Sequence, residues 1–304
     1  MKWRKHGIIY APDGSRPWRK THAQLPLTLQ LDDNRFRVYF ASRDEKNRSH
    51  VCSVELDMRQ PRVILSESPL PVLTPGPLGT FDDHGVYPAS VVLHEGRVWM
   101  YYVGWNPGSR APLFYSSIGL AVSGDGGRTF EKVGLAPLLA RSEYVPCLVT
   151  SPCVLREDGL WRMWYVSGFK WEESADGLHS YYHVKYASSM DGRQWHREGR
   201  IALDLRDGEK NIARPCVLKD NGLYSMWYSF NSGNGYRIGY AQSQNGLEWA
   251  RKDESAGINV SSSGWDSRAV SYPWVFRHRG RTYMLYNGND FGREGFGLAE
   301  ADQG

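Results

Sequence analysis

The sequence of 304 residues lacks any apolar run approaching the ~20 residues of a membrane helix. Its first residues, MKWRKHGIIYAPDG, also lack the apolar stretch of a secretory signal peptide. With 41% hydrophobic and 23% charged residues, the composition is that of a globular protein and excludes general disorder. We therefore expect a soluble cytoplasmic protein without a membrane partner.

The sequence also lacks a large excess of either charge and lacks closely spaced cysteines. The 37 basic and 33 acidic residues leave a net charge of +4, which is too small and too scattered to indicate a nucleic-acid partner. The four cysteines show no C-x-x-C spacing, and the sequence predicts neither a metal nor a cofactor. Cys153 and Cys216 follow matching prolines, so we expect buried thiols on neighbouring strands, with a disulfide as the alternative.

Aromatic residues and glycine are abundant instead. The 12 Trp, 18 Tyr, 10 Phe and 32 Gly favour short strands and tight turns. One strand pattern recurs five times, as FRVYFASR, VWMYYVGW, WRMWYVSG, YSMWYSFN and TYMLYNGN. Its equivalent residues are 62, 63, 63 and 58 positions apart, at Val38, Met100, Met163, Met226 and Met284. A strand marked by a proline precedes each copy, at Pro26, Pro88, Pro152, Pro215 and Pro273.

This repeat predicts the fold. Alternation of aromatic and β-branched residues with period two indicates half-buried strands. Four antiparallel strands in each of five repeats predict an all-β, five-bladed β-propeller that forms a single domain over residues 1–304. The last repeat has no fourth strand, whereas the segment from Trp3 to Gly7 resembles the fourth strand that begins at Trp195. We expect the N-terminal segment to complete the last blade and cover its edge.

A turn motif also recurs. The segment Ser123-x-Asp125-Gly126-Gly127-x-Thr129-Phe130 matches the Asp-box pattern, and Asp191 lies in a degenerate copy. An Asp before Gly in a hairpin accepts hydrogen bonds from backbone N–H groups. Because these turns join third and fourth strands, away from the usual ligand face, we expect them to be structural.

The residues immediately before the five strand prolines differ between repeats, unlike scaffold positions. They are Leu25, Tyr87, Ser151, Arg214 and Tyr272. In a propeller these positions approach the central axis, where ligands usually bind. The divergence therefore suggests a binding site at the axis.

Carboxylates in the loops leading into these strands are candidates for catalysis. They are Asp82, Asp83, Glu143, Glu209 and Asp266. Glycoside chemistry needs an acid and a second carboxylate. We predict Asp83 as base or nucleophile, with His84 holding it ionised or shuttling a proton, and Glu143 and Glu209 as rival acids. As structural alternatives, Asp82 and Asp83 cap a turn and Glu209 pairs with Lys210. A metal bound by Asp82, Asp83 and His84 is not favoured.

Cations and aromatic residues supply the predicted binding groups. Arg214 and Arg268 each need an anionic partner, which is either Asp266 or Asp83 of the chain or a phosphate or carboxylate of the ligand. Trp105, Trp171 and Tyr272 could stack on a sugar. The predicted binding residues are His22, Arg43, Tyr87, Trp105, Trp171, Arg214, Arg237, Asp266, Arg268 and Tyr272.

With its x-Pro first strands, M-W-Y second strands and A-x-S-x-D-G-x-x-W turns, the chain resembles the five-bladed glycoside hydrolases of families 32, 43, 62, 68 and 130. The resemblance implies hydrolysis, transfer or phosphorolysis of glycosidic bonds by carboxylates at the starts of the first strands. Families 43 and 32 place an Asp directly before proline, but this chain contains no Asp-Pro. The resemblance therefore assigns no general base.

We predict a glycosidase-like enzyme that acts on a small glycoside or an activated sugar, including an anionic one such as a sugar phosphate. A sialidase-like hydrolase is one alternative, suggested by the Asp-box and the arginines. The other is a non-hydrolytic binding or biosynthetic protein, acting by elimination or transfer, because the Asp-Pro positions are missing. No Gly-x-Ser-x-Gly is present to support serine catalysis.

Overall fold

A computed structural model, which describes residues 1–175 and 177–302, contains twenty β-strands in those ranges and no α-helix. The first ten strands are β1 (Trp3–Tyr10), β2 (Thr21–Gln30), β3 (Arg35–Arg43), β4 (Ser49–Asp57), β5 (Ile64–Glu67), β6 (Gly85–His94), β7 (Arg97–Pro107), β8 (Phe114–Ser123), β9 (Glu131–Lys132) and β10 (Leu148–Glu157). The others are β11 (Leu160–Ser174), β12 (Gly177–Ser189), β13 (Ile201–Leu203), β14 (Asn211–Asp220), β15 (Leu223–Asn231), β16 (Tyr236–Ser243), β17 (Ala250–Arg251), β18 (Ser271–His278), β19 (Arg281–Asn287) and β20 (Phe296–Ala301).

Short 3-10 helices lie at Asp253–Ser255 and Asn289–Gly292. Neither is long or apolar enough to span a bilayer, and the same holds for every helical segment within the described ranges.

Strand pairing follows the sequence repeat. Within the described residues, the strands form antiparallel groups in the orders β2-β3-β4-β5, β6-β7-β8-β9, β10-β11-β12-β13, β14-β15-β16-β17 and β18-β19-β20-β1. In the last group the outer strand comes from the other end of the sequence, because Trp3 of β1 lies opposite Ala301 of β20. Contacts between the first strands run in a cycle, from β2 to β6, β10, β14, β18 and back to β2.

The hydrophobic core lies between neighbouring groups, where aromatic residues of successive second strands meet. Trp99 of β7 and Trp161 of β11 stack with ring centroids 5.4 Å apart. Met163 and Tyr165 of β11 are completely buried in the same cluster. Large aromatic side chains bury much apolar surface on a pleated sheet, which explains why the repeat is rich in them.

The glycine turns connect each group to the one before it. The Asp125 carboxylate accepts hydrogen bonds from the backbone N–H groups of Arg128 and Thr129, at 2.9 and 3.1 Å. The Gly127 carbonyl then accepts a bond of 2.7 Å from the Tyr39 hydroxyl. In the later groups, the carbonyls of Gly192 and Gly246 accept equivalent bonds from Tyr101 and Trp164. These turns therefore fix the groups to one another, as expected for structural elements.

Cys153 and Cys216, which occupy matching positions in two repeats, are buried thiols, as the sequence favoured. Both thiols are free, which excludes the alternative disulfide. The Cys153 sulfur accepts the backbone N–H of Val217 at 3.2 Å, and the Cys216 sulfur accepts that of Val275 at 3.1 Å. Each thiol thus bonds to the first strand of the following group.

Candidate functional site

A cavity of about 550 Å³ opens where the five first strands meet, and we call it the central cavity. Its aromatic and aliphatic lining consists of Leu25, Tyr87, Trp105, Leu113, Phe114, Leu148, Tyr182, Ala213, Tyr236, Tyr272 and Phe291. Its other lining residues are Gln24, Arg43, Asn47, Ser116, Thr150, Ser151, Ser180, Asn211 and Asn231. A larger cleft of about 930 Å³ lies elsewhere, beside Trp99 and the Asp125 turn, and contains none of the residues before the strand prolines.

Bulges in the first strands shape this cavity. Leu25, Ser151, Arg214 and Tyr272 have φ of +55°, +47°, +51° and +55°. The strand pairing shifts register at each of these positions. Such conformations are rare for residues with a side chain, and bulges often re-aim side chains at functional sites. Three of the four residues line the cavity, whereas Arg214 lies behind the lining.

Arg43 is the only cation among the described lining residues. Its Nε donates to Gln24 Oε1 at 3.2 Å and its Nη1 donates to Asn47 Oδ1 at 2.8 Å. Both partners are neutral amides, and within residues 1–175 and 177–302 no carboxylate forms an ion pair with this guanidinium. Its charge is therefore available to an anionic ligand.

Tyrosine hydroxyls also gather in this cavity. The hydroxyls of Tyr182 and Tyr236 are 2.5 Å apart, and the rings of Tyr236 and Tyr272 lie 5.8 Å apart. Burial raises the pKa of Tyr87 to about 12 and also raises the pKa values of Tyr182 and Tyr236. These phenols therefore stay protonated and act as hydrogen-bond donors near neutral pH.

Two aromatic surfaces bound the cavity. Tyr87 and Trp105 are nearly parallel, with an angle of 7° and centroids 6.2 Å apart. Phe291 stacks on Tyr272 at 6.5 Å and is 52% exposed. Phe291 and its neighbour Asp290 both have positive φ, at +57° and +52°. Phe291 therefore presents an apolar ring at the mouth of the cavity.

The predicted catalytic residues are not brought together in the central cavity. The carboxylate of Asp83 accepts hydrogen bonds from Gly79 N at 2.8 Å and from Asn106 Nδ2 at 2.5 Å. The His84 ring lies edge-on to Trp105 at 4.5 Å, just outside the lining. Glu143 is exposed. The catalytic roles of these residues stay predictions.

Glu209 lies in a different environment from the one expected. Its two carboxylate oxygens accept hydrogen bonds from the guanidinium of Arg251, each at 2.7 Å. The side chains of both partners are almost completely buried. A two-fold, buried pairing of this kind holds a loop in place, and here the partner is Arg251 where Lys210 was expected.

Asp82 and Asp266 are buried in two equivalent networks. Asp82 Oδ2 lies 2.6 Å from Lys132 Nζ and accepts the Tyr102 hydroxyl at 3.0 Å. Asp266 Oδ2 lies 2.7 Å from Lys5 Nζ and accepts the Tyr286 hydroxyl at 3.0 Å. Each network joins a loop, a second strand and an outer strand. Across the described parts of the chain, no group of three or more His, Cys, Asp or Glu is placed to hold a metal ion.

Four of the ten predicted binding residues line the central cavity, namely Arg43, Tyr87, Trp105 and Tyr272. Trp171 packs behind Phe114, with centroids 5.7 Å apart. Arg237 donates to the backbone carbonyls of Tyr236 and Arg268, and Arg268 pairs with Asp290 at the surface. These outer arginines therefore shape the loops around the cavity.

We expect acid to destabilise the protein partly through His22. Burial, then Arg43 and Arg293, lower the pKa of this histidine from 6.5 to about 4. Because the unfolded chain binds the proton more readily between these values, stability falls as pH falls from 6.5 to 4. Asparagine tolerates the φ of +65° at this position, so His22→Asn is the informative variant.

Urea unfolding of the wild-type protein and of His22→Asn, each at neutral pH and near pH 4, measures the contribution of His22 to the pH dependence of stability. The wild-type protein should lose roughly 1–2 kcal/mol more than His22→Asn on acidification, allowing for partial solvent exposure. Equal losses would contradict a neutral, buried His22.

Several lining residues escaped prediction although a signal was present. Tyr182 and Tyr236 occupy the same repeat position, two residues before Val184 and Ile238 in the third strands. A pair of tyrosines at equivalent positions in two neighbouring repeats would have marked them. Phe291 carried no such signal, because its placement depends on the positive φ of its own turn.

The comparisons with known proteins concern both sequence and fold. No protein-family model matches the sequence. The chain is 40% identical over 300 residues to "Uncharacterized protein MT1551" of Mycobacterium tuberculosis (strain CDC 1551 / Oshkosh), covering 98% of this chain and 99% of that protein.

Solved structures also match. A structure described as "Glycoside hydrolase" superposes with a TM-score of 0.78 at 18% identity, covering 99% of this chain and 92% of that one. The GH32 beta-fructofuranosidase BmSUC1 of Bombyx mori gives a TM-score of 0.65 at 16% identity, covering 95% of this chain and 62% of the enzyme. The resemblance to the propeller glycoside hydrolases is thereby confirmed at the level of the fold.

Proposed function

Because the chain belongs to the same family as the Mycobacterium tuberculosis protein MT1551 and has the fold of the propeller glycoside hydrolases, we propose that it binds a sugar in its central cavity. We further propose that it does so without a carboxylate acid/base pair. The ligand would be a small carbohydrate or an activated sugar.

The proposal assumes one closed domain of five blades, with β1 as the outer strand of the last. The cyclic contacts of the first strands and the pairing of β1 with β20 support this arrangement. A closed ring places the residues before the five prolines around one axis, where a ligand would contact all the blades.

The composition of the cavity lining carries the functional proposal. Among the described residues, the lining contains amides, hydroxyls, aromatic rings and one arginine, but no Asp or Glu. Hydrolysis by the usual route needs two carboxyl groups about 5–10 Å apart across the sugar. Stacking surfaces with nearby amides and hydroxyls suit binding of a sugar face and its hydroxyl groups.

Tyrosine catalysis is also disfavoured. A sialidase-like mechanism would need a tyrosine nucleophile. Burial raises the pKa of Tyr87 to about 12 and raises that of Tyr236 well above its ordinary value. A phenol that resists ionisation is a weak nucleophile, so we assign these tyrosines to binding.

Hydrolysis at the rim is the second candidate function, because His84 contacts Trp105 of the lining and Asn106 orients the Asp83 carboxylate. In this version Asp83 acts as base or nucleophile, His84 shuttles a proton and Glu143 supplies the acid. Glu209 is the weaker choice of acid because Arg251 occupies both of its oxygens.

A binding screen tests the first proposal. Monosaccharides, sugar phosphates and nucleotide sugars are screened by thermal shift, and the hits are measured by calorimetry. We expect Trp105→Ala to weaken the best ligand at least about tenfold, since stacking and burial of one aromatic ring contribute 1–2 kcal/mol. Trp249→Ala is the matched control, because Trp249 packs against Trp164 and Tyr224 outside the cavity, and this variant should bind like the wild type.

Hydrolysis of aryl glycosides is measured alongside binding. We expect no turnover above background by the wild-type protein, Asp83→Asn or Glu143→Gln. Turnover by the wild type that Asp83→Asn abolishes would replace the binding proposal with the hydrolytic one. A ligand whose affinity is unchanged by Trp105→Ala would show that the sugar binds elsewhere.

A further inference from the structure

We propose that the ligand of the central cavity carries an anionic group, a carboxylate or a phosphate ester, bound by Arg43 and attracted by the charge of Arg214 behind the lining. The inference rests on the proposed function only in placing the ligand in this cavity. It names the chemical class that the cavity selects.

Arg214 is a buried cation without an anionic partner. Its side chain belongs to a residue that is 1% exposed, close to the point where the first strands meet. Nη1 donates to the Pro88 carbonyl at 3.1 Å, and Nη2 lies 3.4 Å from the carbonyls of Leu25 and Pro26. Nε finds no acceptor among the described residues. These carbonyls orient the guanidinium but do not neutralise it.

The remaining contact of Arg214 is also neutral. Its guanidinium lies over the Trp274 ring, 5.7 Å from the centroid. This cation–π contact offsets part of the desolvation cost. A buried charge normally requires an opposite charge nearby, because transfer from water into a protein interior is expensive. One unit of positive charge is thus left without an opposite charge behind the cavity.

The carboxylates that could have neutralised Arg214 are bound elsewhere. Asp266 pairs with Lys5, and Asp83 accepts bonds from Gly79 and Asn106. Within the described residues, no carboxylate of the chain pairs with Arg214. An anionic group of the ligand is therefore the remaining candidate for its partner.

Arg43 and Arg214 act on the same part of the cavity. Burial, followed by the phenols of Tyr182 and Tyr87, raises the pKa of Tyr272, whereas Arg43 and Arg214 act in the opposite direction. The contacts agree with this, because Arg214 Nη2 lies 3.4 Å from the carbonyl of Leu25 and Arg43 Nε donates to the side chain of the adjacent Gln24. Both guanidinium groups thus lie beside the same stretch of β2, one in the lining and one behind it. Low local polarity strengthens the attraction of an anion placed there.

The contacts assign different roles to the two arginines. Arg43 is held by the amides of Gln24 and Asn47, which leaves donors of its guanidinium fork for direct hydrogen bonds to an anion. Arg214 is enclosed by carbonyls and acts at longer range, as a positioning residue. Replacing Arg43 by a neutral residue should therefore weaken binding of an anionic ligand more than replacing Arg214 does.

Matched sugars that differ only in charge provide the test. Calorimetry compares hexoses with the corresponding uronates and 1-phosphates, and with inorganic phosphate alone, at low and physiological ionic strength. The wild-type protein should bind at least one anionic class about tenfold more tightly than the neutral hexose, as expected for charge-assisted hydrogen bonds. Added salt should reduce this preference. The uronate and phosphate arms distinguish the two sources of negative charge.

Three variants connect the preference to its residues. Arg43→Gln should abolish the preference for the anionic sugar, and Arg214→Met should reduce it. If Arg214→Met does not fold, Arg43→Gln still decides. Arg110→Gln is the control for net charge, because Arg110 lies in the loop between β7 and β8, is exposed and pairs with Glu173. This variant should prefer the anionic sugar as strongly as the wild type does.

Each outcome has a defined meaning. Equal affinity for neutral and charged sugars, or a preference that survives Arg43→Gln, overturns this inference and leaves sugar binding in place. Binding of inorganic phosphate that depends on Arg43, without binding of any sugar, supports the anion site and overturns the proposed function. Binding of none of the probes overturns both.

Discussion

Replacing Asp82 by Asn is expected to lower the free energy of unfolding by about 3–5 kcal/mol. Asp82 is 1% exposed, and its carboxylate neutralises Lys132 while accepting the Tyr102 hydroxyl. Asparagine keeps the size of the side chain but removes the negative charge. The Lys132 ammonium is then left in a mostly buried position without a counter-charge, and this penalty dominates the effect. Equilibrium unfolding in urea measures the change.

Two further variants separate this effect from general sensitivity of the loop. Asp83→Asn, one residue away, should cost no more than about 1 kcal/mol, because Asp83 has neutral partners and is less buried. The double variant Asp82→Asn/Lys132→Met should recover a large part of the loss, since the unpaired charge is then removed. Equal costs for Asp82→Asn and Asp83→Asn would show that the ion pair does not stabilise the fold.

Loss of the N-terminal strand should have the other large effect. Removal of residues 1–10 exposes the edge of β20 and removes Lys5 from Asp266. It also removes Trp3, whose Nε1 donates to Ala256 O at 2.8 Å and whose ring packs against Trp227. We expect this truncated chain to lose cooperative unfolding and to aggregate, because an unpaired strand edge is a template for association.

The single substitution Trp3→Ala gives the same information with less disturbance. Truncating a buried tryptophan costs about 3–5 kcal/mol. Arg4→Ala is its control, since the adjacent Arg4 side chain is mostly exposed and its ion pair with Glu300 should contribute less than about 1 kcal/mol. A truncated chain that unfolds cooperatively with unchanged stability would show that β1 is dispensable and that β20 does not need it as a partner.

The repeat made the strand content predictable. Equivalent residues at a regular spacing lie in equivalent strands, and four of the five predicted second strands fall within β3, β7, β11 and β15. The fifth, TYMLYNGN, extends two residues beyond the end of β19 at Asn287. The segment at Trp3 was expected to form a strand, and β1 does begin at Trp3. The segment at Trp195, to which it was compared, forms only an isolated bridge at His196, and the outer strand β13 begins later, at Ile201. Local patterns of this kind carry the information needed for strand formation.

The partners of charged residues were not predictable in the same way. Asp82 meets Lys132 from an outer strand fifty residues later. Asp266 meets Lys5 from the opposite end of the chain. The identity of such a partner depends on packing between strands that are distant in sequence, which no local pattern encodes. For this reason the sequence identified the acidic residues of the loops before the first strands as candidates but could not assign them to structural or catalytic roles.

Backbone conformation alone does not determine which residues before the strand prolines reach the cavity. The residues before the strand prolines were expected to approach the axis, and four of them line the central cavity. Arg214 adopts the same local conformation as Leu25 and Tyr272 but lies behind the lining, against the carbonyls of opposing strands. Similar φ values thus accompany different exposure, because the Arg214 guanidinium lies against buried backbone carbonyls.

A crystal structure with the tightest anionic sugar from the binding screen tests the central claim most directly. It should show the anionic oxygens within about 3 Å of the Arg43 guanidinium and the sugar between the aromatic surfaces of Trp105 and Tyr272. A sugar bound instead at the rim, between Asp83 and His84, or in the cleft beside Trp99, would contradict the claim that the central cavity is the ligand site.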